Sequence, residues 1–529
     1  MAEAAERRLR RGALGVAVGA VFGLLTGVWM QPELPALLAD WPLREGLLAT
    51  LQGADADGLR EPLALVCFAL AMGLPTWAAA RAYRDRDALG RHGGGIVLVG
   101  LVAATLVQLA APPRWSSDAF LFAYYGKIQA VHGENPYRLP GRAFARTCAL
   151  PALPHRPVTP GRPCRADAHC PPPSRCLVDP FVPYQAWLEV RAAYGPLALG
   201  LFRAAYVEAL PPEANVWLLR AAAALAWLLA TVWALRRFGT GVGAMLAWLP
   251  VGVVGAAGEG HLEAFAALAL LALLSPGRRG GAVRTGVAWA VLGALKLPLL
   301  ALGAPAIGRL WRRRGVAAAA GAVAIGGGLV AIGYLALWTD PHPFGGLMDV
   351  GDTSVRTPLD VVRRAAQALG MAGDLRIARP LLLGLFGLAS VAALRALDRA
   401  LTAAPNDTDD DDDDAATATA TVQIWLGLTA LASGIFHPWY AIPGLVAWAA
   451  ASGQTGAATP ASRASLWLIV AAPIVVNGAW LALGPGAFAA PGVLVVTAAL
   501  FGPALWAWLR PERARAHASP TPPAPTPPD

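Results

Sequence analysis

The chain has 529 residues, 56% of them hydrophobic and only 15% charged, with a net charge of +9 and a mean hydropathy of +0.49. That composition excludes a soluble protein with an ordinary polar surface. Nucleic-acid binding is not what the positive charge serves, because the arginines cluster at the ends of apolar runs, where the positive-inside rule predicts them.

Apolar runs of about 18 to 22 residues recur along the chain, the length that spans a hydrocarbon core of about 30 Å. The expected class is therefore all-α, a polytopic helical bundle in the lipid bilayer of the cell membrane. Arg7, Arg8, Arg10 and Arg11 precede the first run, residues 12–30, which lacks a small-residue cleavage site and reads as a span rather than a signal peptide. The amino terminus is then cytoplasmic and the acidic stretch 31–61 lies outside. Spans at 62–80 and 95–111 follow, with Arg81, Arg84, Arg86 and Arg91 between them. Residues 1–112 thus form an amino-terminal group of membrane helices, and the chain emerges outside before Pro113.

Residues 113–213 read as an extracytoplasmic loop, long enough to point to function rather than simple connection. It opens on W-S-S-D-A-F-L-F-A-Y-Y-G-K-I-Q-A-V-H-G-E-N-P-Y, which sets Asp118 just past a membrane exit. A carboxylate there suits a base acting on a substrate at the membrane surface, although Ser-Ser-Asp is equally good chemistry for capping a helix that begins at Ala119. Four of the five cysteines, Cys148, Cys164, Cys170 and Cys176, lie among prolines and polar residues too poor in apolar groups to build a core. Two disulfides are expected to staple the loop, with three pairings possible. Zinc is the runner-up, disfavoured by the missing C-x2-C knuckle, and no metal is expected. Cys67 lies in a membrane helix and reads as a small buried group. Residues 194–210 read as an amphipathic segment in the interface, since treating them as a span would put Arg236 and Arg237 on the wrong side.

Central membrane helices occupy 214–400. Spans over 215–237, 238–257, 261–278, 284–295, 299–310, 316–338 and a stretch ending near Arg395 keep the same parity, with Lys296-Leu-Pro298 breaking one apolar run at the outer face. Residues 401–420 carry an Asp tract and are expected to form a solvated, disordered cytoplasmic linker, by like-charge repulsion, with a metal-binding or regulatory role as the alternative. Spans near 422–436, 440–451, 466–483 and 493–509 make up the carboxyl-terminal group 421–509. The Pro-, Ala- and Thr-rich tail 510–529 is expected to be disordered. Counting each run as one crossing gives about 14.

Three polar clusters interrupt the apolar runs, and the topology brings all of them to the outer face with Asp118: Gly258-Glu-Gly-His-Leu-Glu263, Lys296, and His437-Pro-Trp-Tyr440. Ionisable groups this near the bilayer usually face a cavity or a partner. Lys296 is a cation suited to a phosphate, or alternatively one that snorkels to the surface. His261 and His437 are candidates for a site or for interfacial residues bonded to backbone, and Trp115, Tyr124, Tyr125, Trp439 and Tyr440 also suit an aromatic belt.

The ordered set D-A-F-x-F-A-Y-Y-G-K and G-x-N-P-Y, then Y-G-P-L, G-H-L-E-A, a K-x-P break and H-P-W-Y resembles the GT-C membrane glycosyltransferases. It looks closest to the bacterial polyprenyl-phosphate-mannose-dependent mannosyltransferases, over residues 115–440. The resemblance implies an inverting transfer of a sugar from a polyprenyl-phosphate donor to a hydroxyl of a glycan, glycolipid or protein acceptor, with no metal or cofactor. Asp118 matches the general base. Lys296, with Lys127 or Arg356, would stabilise the departing phosphate. Tyr125, Asn135, Tyr137, Tyr194, His261, Glu263, His437, Trp439 and Tyr440 are the further substrate-binding candidates. Leu262 and Glu263 stand where the family has Asn and Asp, and the cysteine insert is a second departure; both leave donor and acceptor unspecified. The Asp tract, expected on the cytoplasmic side, is not the D-x-D site of nucleotide-sugar enzymes. The competing readings are a transporter, which would set its polar breaks at the membrane midplane, and a non-catalytic assembly protein.

Overall fold

In lipid the backbone must satisfy its own hydrogen bonds, and runs of Ala, Leu and Val offer nothing but helix with which to do so. The computed structural model, which describes residues 2–30, 60–89, 93–111, 113, 116–149, 170, 175–182, 187–275, 281–337, 346, 357–368, 378–403, 410–433, 437–455, 460–483 and 490–509, is accordingly all-α apart from one hairpin. Helices α1 (Ala2–Met30), α2 (Arg60–Arg84) and α3 (Gly93–Ala110) form the amino-terminal group, with α1 packed on both others. Helix α4 (Asp118–Val131) leads to the antiparallel hairpin β1 (Arg146–Ala149) and β2 (Arg175–Val178), and then to α5 (Pro196–Ala205), which packs on α4 through Ala198, Leu199 and Phe202.

The long α6 (Pro212–Phe238) is followed by α7 (Thr240–Trp248), which bends by 54° into the segment Pro250–Gly258. Pro250 removes a backbone donor there, and the chain widens into a π-turn over Val254–Gly258. Next come α8 (Glu263–Leu274), α9 (Ala282–Leu295), a 3-10 turn (Leu297–Gly303), α10 (Ala304–Arg314) and α11 (Val316–Ala336). The remainder comprises α12 (Pro358–Ala368), α13 (Ala378–Ala403), α14 (Asp410–Gly427) with a π-turn (Leu428–Ala432), α15 (Ala441–Thr455), α16 (Pro460–Leu483) and α17 (Ala490–Leu509). One contiguous core runs through the bundle, with Trp227, Trp248 and Trp425 among its fully buried side chains. Leu381 and Leu388 on α13 and Ile332 on α11 are exposed, as lipid-facing positions are expected to be.

Among the described residues seven helices are long and apolar enough to cross a membrane, or eight if the bent pair is one span. That is fewer than the expected crossings. The apolar runs at 261–278, 284–295, 299–310 and 440–451 fold as helices of 12, 14, 11 and 15 residues. At 1.5 Å per residue these reach only about 17 to 23 Å, short of the hydrocarbon core.

The Asp tract corrects a second expectation. Helix α14 begins at Asp410, and Asp413 and Asp414 are buried. Arg313 grips Asp413 with two nitrogens, Arg237 reaches Asp414 at 3.2 Å, and Arg309 also pairs with Asp414. Acidic groups at a helix amino terminus complement its dipole, as arginines in the last turn of α10 complement theirs. Read in isolation the tract repels itself, whereas packing supplies the partners. Residues 404–409, like the tail 510–529, lie outside the described residues.

Candidate active site

Asp118 opens α4, but it is not spent on capping. The N-cap is Ser117, without a side-chain cap bond, and the Asp118 backbone N–H donates to Ser116 Oγ at 3.0 Å. Its carboxylate, 15% exposed, lines a cleft of about 220 Å³. The capping alternative therefore does not describe this side chain.

The wall behind Asp118 comes from the segment between the π-turn and α8. Gly260 turns the chain there with φ of 70°, a conformation that side chains with a Cβ rarely adopt. It follows Glu259, whose carboxylate accepts from Ser116 N–H at 3.1 Å, and precedes His261. His261 Nδ1 lies 3.8 Å from Asp118 Oδ2, and its imidazole stacks on the indole of Trp439 at 3.7 Å between centroids. His437 stacks with Trp439 at 4.5 Å, so the indole meets two imidazoles. Glu259, His261 and Glu263 are all buried. Arg220, buried on α6, donates to the carbonyls of Ala257, Ala111 and Gln108 and so ties this segment to the end of α3.

Lys296 takes an extended conformation that stops α9 ahead of Pro298. Its ammonium lies 3.2 Å from Glu263 Oε1 and 3.9 Å from the centre of the Tyr440 ring, a cation–π contact. Tyr440 closes the 3-10 turn Pro438–Tyr440, whose carbonyl accepts from Trp425 Nε1 at 3.0 Å. Leu299, Pro298 and, from the end of α14 and the turn after it, Trp425, Leu428, Thr429, Ala432 and Ser433 also line the cleft. The stretch 187–194 also lines the cleft, through Trp187, Val190, Arg191, Ala193 and Tyr194, and the Tyr194 ring centre lies 6.0 Å from Lys296 Nζ. Gly195 joins it to α9: its N–H donates to Leu295 O at 2.9 Å, and a Cβ there would run into the Ala294 carbonyl.

Of the residues expected from sequence, Asp118, Tyr125, Tyr194, Glu263, Lys296, His437 and Tyr440 line the cleft, and His261 and Trp439 stand directly behind it. Others stand apart. Lys127 is buried in an ion pair with Asp179, whose other oxygen accepts from Phe181 N–H. The ammonium that was expected to meet phosphate instead fastens the chain after β2 to α4. Asn135 donates to Leu337 O and Tyr137 to Tyr194 O, at 2.7 and 2.6 Å, bracing the wall from outside the lining. Arg356, Trp115 and Cys164 lie outside the described residues. Cys148 and Cys170 form a disulfide with 5.4 Å between Cα atoms, and Cys148 faces Cys176 across the hairpin.

Burial pushes the Asp118 carboxyl up to about 7; Lys296 opposes that shift, Glu263 and Glu259 add to it, and the hydrogen bond with Ser116 opposes it. The site thus offers a carboxylate poised near neutrality in a cleft shared with a partly buried cation, lined by both apolar and polar, aromatic groups. Among the described residues no three His, Cys, Asp or Glu side chains gather as a metal site. Sequence reasoning singled out the cluster that contains Glu259 without giving that residue a role, and missed Arg220, Trp187 and Arg191 as parts of this site. An arginine inside the apolar run of α6 was the available signal for Arg220; Trp187 and Arg191 carry none. Comparisons with protein-family models, curated proteins and solved structures give no match.

Proposed function

We propose that this chain is a membrane glycosyltransferase that moves a sugar, mannose in the first instance, from a polyprenyl-phosphate donor to an acceptor hydroxyl with inversion. The observation that carries the reading is the gathering of Asp118, Glu263, Lys296 and Tyr440 from separate stretches of the chain onto one cleft. Asp118 takes the proton of the acceptor hydroxyl as its oxygen bonds to the anomeric carbon. The bond from that carbon to the phosphate oxygen breaks, and the electron pair leaves with the phosphate, whose charge Lys296 offsets. Asp118 is left protonated and returns its proton to solvent. Leu299, Leu428 and Ala432 give an apolar lipid chain a surface in the cleft that Lys296 also lines.

The cleft is read as facing the extracytoplasmic side of the cell membrane, with about 14 crossings in which the short helices join their flanking turns to complete the span. Supporting this, Arg220 reaches the site from one end of α6 and Arg237 meets Asp414 at the other, about 25 Å away along the helix. The arginine-rich ends therefore lie away from the cleft, as the positive-inside rule asks.

The test is transfer of radiolabel from polyprenyl-phosphate-mannose, with a panel of other lipid-linked sugars, in membranes carrying the parent chain or Asp118→Asn. The variant is expected to lose transfer by about 10²- to 10⁴-fold while folding normally. Equal transfer by both removes Asp118 from the mechanism. Absence of transfer with every donor, from folded protein, favours a transporter of a lipid-linked or polar solute.

A further inference from the structure

Glu263 and Lys296 line the cleft as a pair, with Glu263 Oε1 3.2 Å from the ammonium and the two side chains 6% and 21% exposed. Among the described residues that ammonium is the one hydrogen-bonding or ionic partner of the Glu263 carboxylate. Lys296 has more to hold it, since its Nζ also lies 3.9 Å from the centre of the Tyr440 ring and 6.0 Å from that of Tyr194. Both partners sit where a helix meets a break: Glu263 opens α8 just after the turn at Gly260, and Lys296 ends α9 ahead of Pro298.

The charged and titratable groups around Glu263 come from every side of the cleft. Asp118 of α4, Tyr194 and Arg191, and Tyr440 and His437 line it, and Glu259 and His261 precede Glu263 in the chain. Of the helices packed on α8, α15 has no titratable side chain, and Arg284 of α9 donates to Ser275 O at the far end of α8. Arg220 of α6 donates to backbone carbonyls, and Asp413 and Asp414 of α14 pair with arginines away from the cleft. Asp118 already meets Glu263 as a like charge, with Lys296 countering it.

A phosphate drawn to Lys296 therefore arrives where a carboxylate already holds the ammonium. Two anions on one ammonium repel each other strongly at low effective dielectric. One proton on Glu263 removes that repulsion and turns an acceptor into an O–H donor able to bond a phosphate oxygen. The proton comes from solvent, and no other covalent bond is made or broken. Asp118 has no hydrogen bond or ion pair with Lys296 among the described residues, so this exchange leaves it to act as the base.

We propose that Glu263 is the counter-ion that an incoming phosphodiester displaces from Lys296, and that it takes up one proton as the phosphodiester binds. Naming the phosphodiester as the sugar donor's rests on the glycosyltransferase reading; anion binding linked to proton uptake does not. The cleft thereby gains a phosphodiester without gaining net charge.

The experiment uses the full chain in nanodiscs of zwitterionic lipid, in an Asp118→Asn background so that neither turnover nor the Asp118 carboxyl contributes. The probe is a short-chain polyprenyl methyl phosphate, a diester that stays a monoanion throughout, with the neutral polyprenol as control. Calorimetry between pH 7 and 9, in buffers of differing ionisation enthalpy, counts the protons taken up. About one proton per diester is expected, with Kd rising by about tenfold per pH unit. Adding Glu263→Gln is expected to abolish the uptake, flatten that slope and tighten binding at pH 9 by about tenfold. Adding Glu263→Asp, which keeps a carboxylate, should keep the uptake and guards against a folding defect. Adding Lys296→Met should weaken diester binding by about 10- to 100-fold. Uptake that survives Glu263→Gln, or diester binding without uptake, overturns the proposal; sugar transfer by the parent chain in that case leaves the glycosyltransferase reading standing. Absence of diester binding, or binding indifferent to Lys296→Met, overturns both the proposal and the phosphate role of Lys296. Uptake as expected in a chain whose parent transfers no sugar leaves the proposal standing and removes the glycosyltransferase reading instead.

Discussion

His261 holds its Nδ1 3.8 Å from Asp118 Oδ2 while its ring, 1% exposed, is stacked on Trp439 and meets Phe122 edge-on. The imidazole is thus fixed by aromatic packing, and a contraction of under 1 Å would bring a proton on Nδ1 into hydrogen-bond range of the carboxylate, a tightening common when a substrate fills an apo site. Nε2 has no partner among the described residues, so nothing else orients the ring by hydrogen bonding from its far side.

His261 should therefore act as a positioning residue for Asp118. His261→Phe, which keeps the stack and removes the donor, is expected to lower kcat by about 10²-fold with donor KM unchanged. His261→Gln, which restores an amide donor, should recover part of it. Steady-state kinetics of the two variants side by side check this, and equal losses in both would point to packing alone.

The pH profile follows from the charges around Asp118. Transfer needs the ionised carboxylate, whose pKa burial lifts to about 7, so the rate should fall as pH drops through 7. Lys296 stabilises the carboxylate and Glu263 destabilises it. Lys296→Met should move the acid limb to higher pH and Glu263→Gln to lower pH, each by about one unit. Profiles of kcat/KM measured between pH 5 and 9 decide the sign.

Lys127 should matter to stability rather than to donor affinity. Removing one member of its buried pair with Asp179 leaves the other charge uncompensated, at a cost of about 3–5 kcal/mol. Lys127→Met and Asp179→Leu should each lower Tm in detergent, and the double variant should recover much of the loss, because an apolar pair leaves no orphan charge. A raised donor KM in Lys127→Met at unchanged Tm would restore the expectation of a phosphate contact.

Asp414, fully buried between Arg237 and Arg309, gives a sharp contrast with surface charge. Asp414→Ala should destabilise the chain by about 3–5 kcal/mol. Glu3→Gln, which removes an exposed i,i+4 pair with Arg7, should leave Tm unchanged. Thermal unfolding of both variants in the same detergent tests the difference.

Much of the site was legible because chemistry that lipid forbids stands out in an apolar run. Glu263, Lys296 and Tyr440 each interrupt such a run, Asp118 follows directly on one, and all four line the cleft. Lys127 looked equivalent to Lys296 because both are cations near a membrane exit; only packing distinguishes a cation buried against Asp179 from one facing a cavity. Trp187 gave no signal, since an aromatic residue in a loop does not by itself mark a cavity, and only the fold sets it on the cleft lining.

By itself the sequence determined the all-α class, the presence of helices long and apolar enough to cross a membrane and the positions where the chain breaks, because hydropathy and backbone hydrogen bonding are local properties of the chain. Tertiary structure alone decided which helices reach span length, that Asp413 and Asp414 are paired rather than repelling, and that Cys148 joins Cys170. It also decided that His261 stands beside Asp118. Each of these depends on groups distant in the chain meeting across helix faces, and no local pattern of residues encodes which faces will meet.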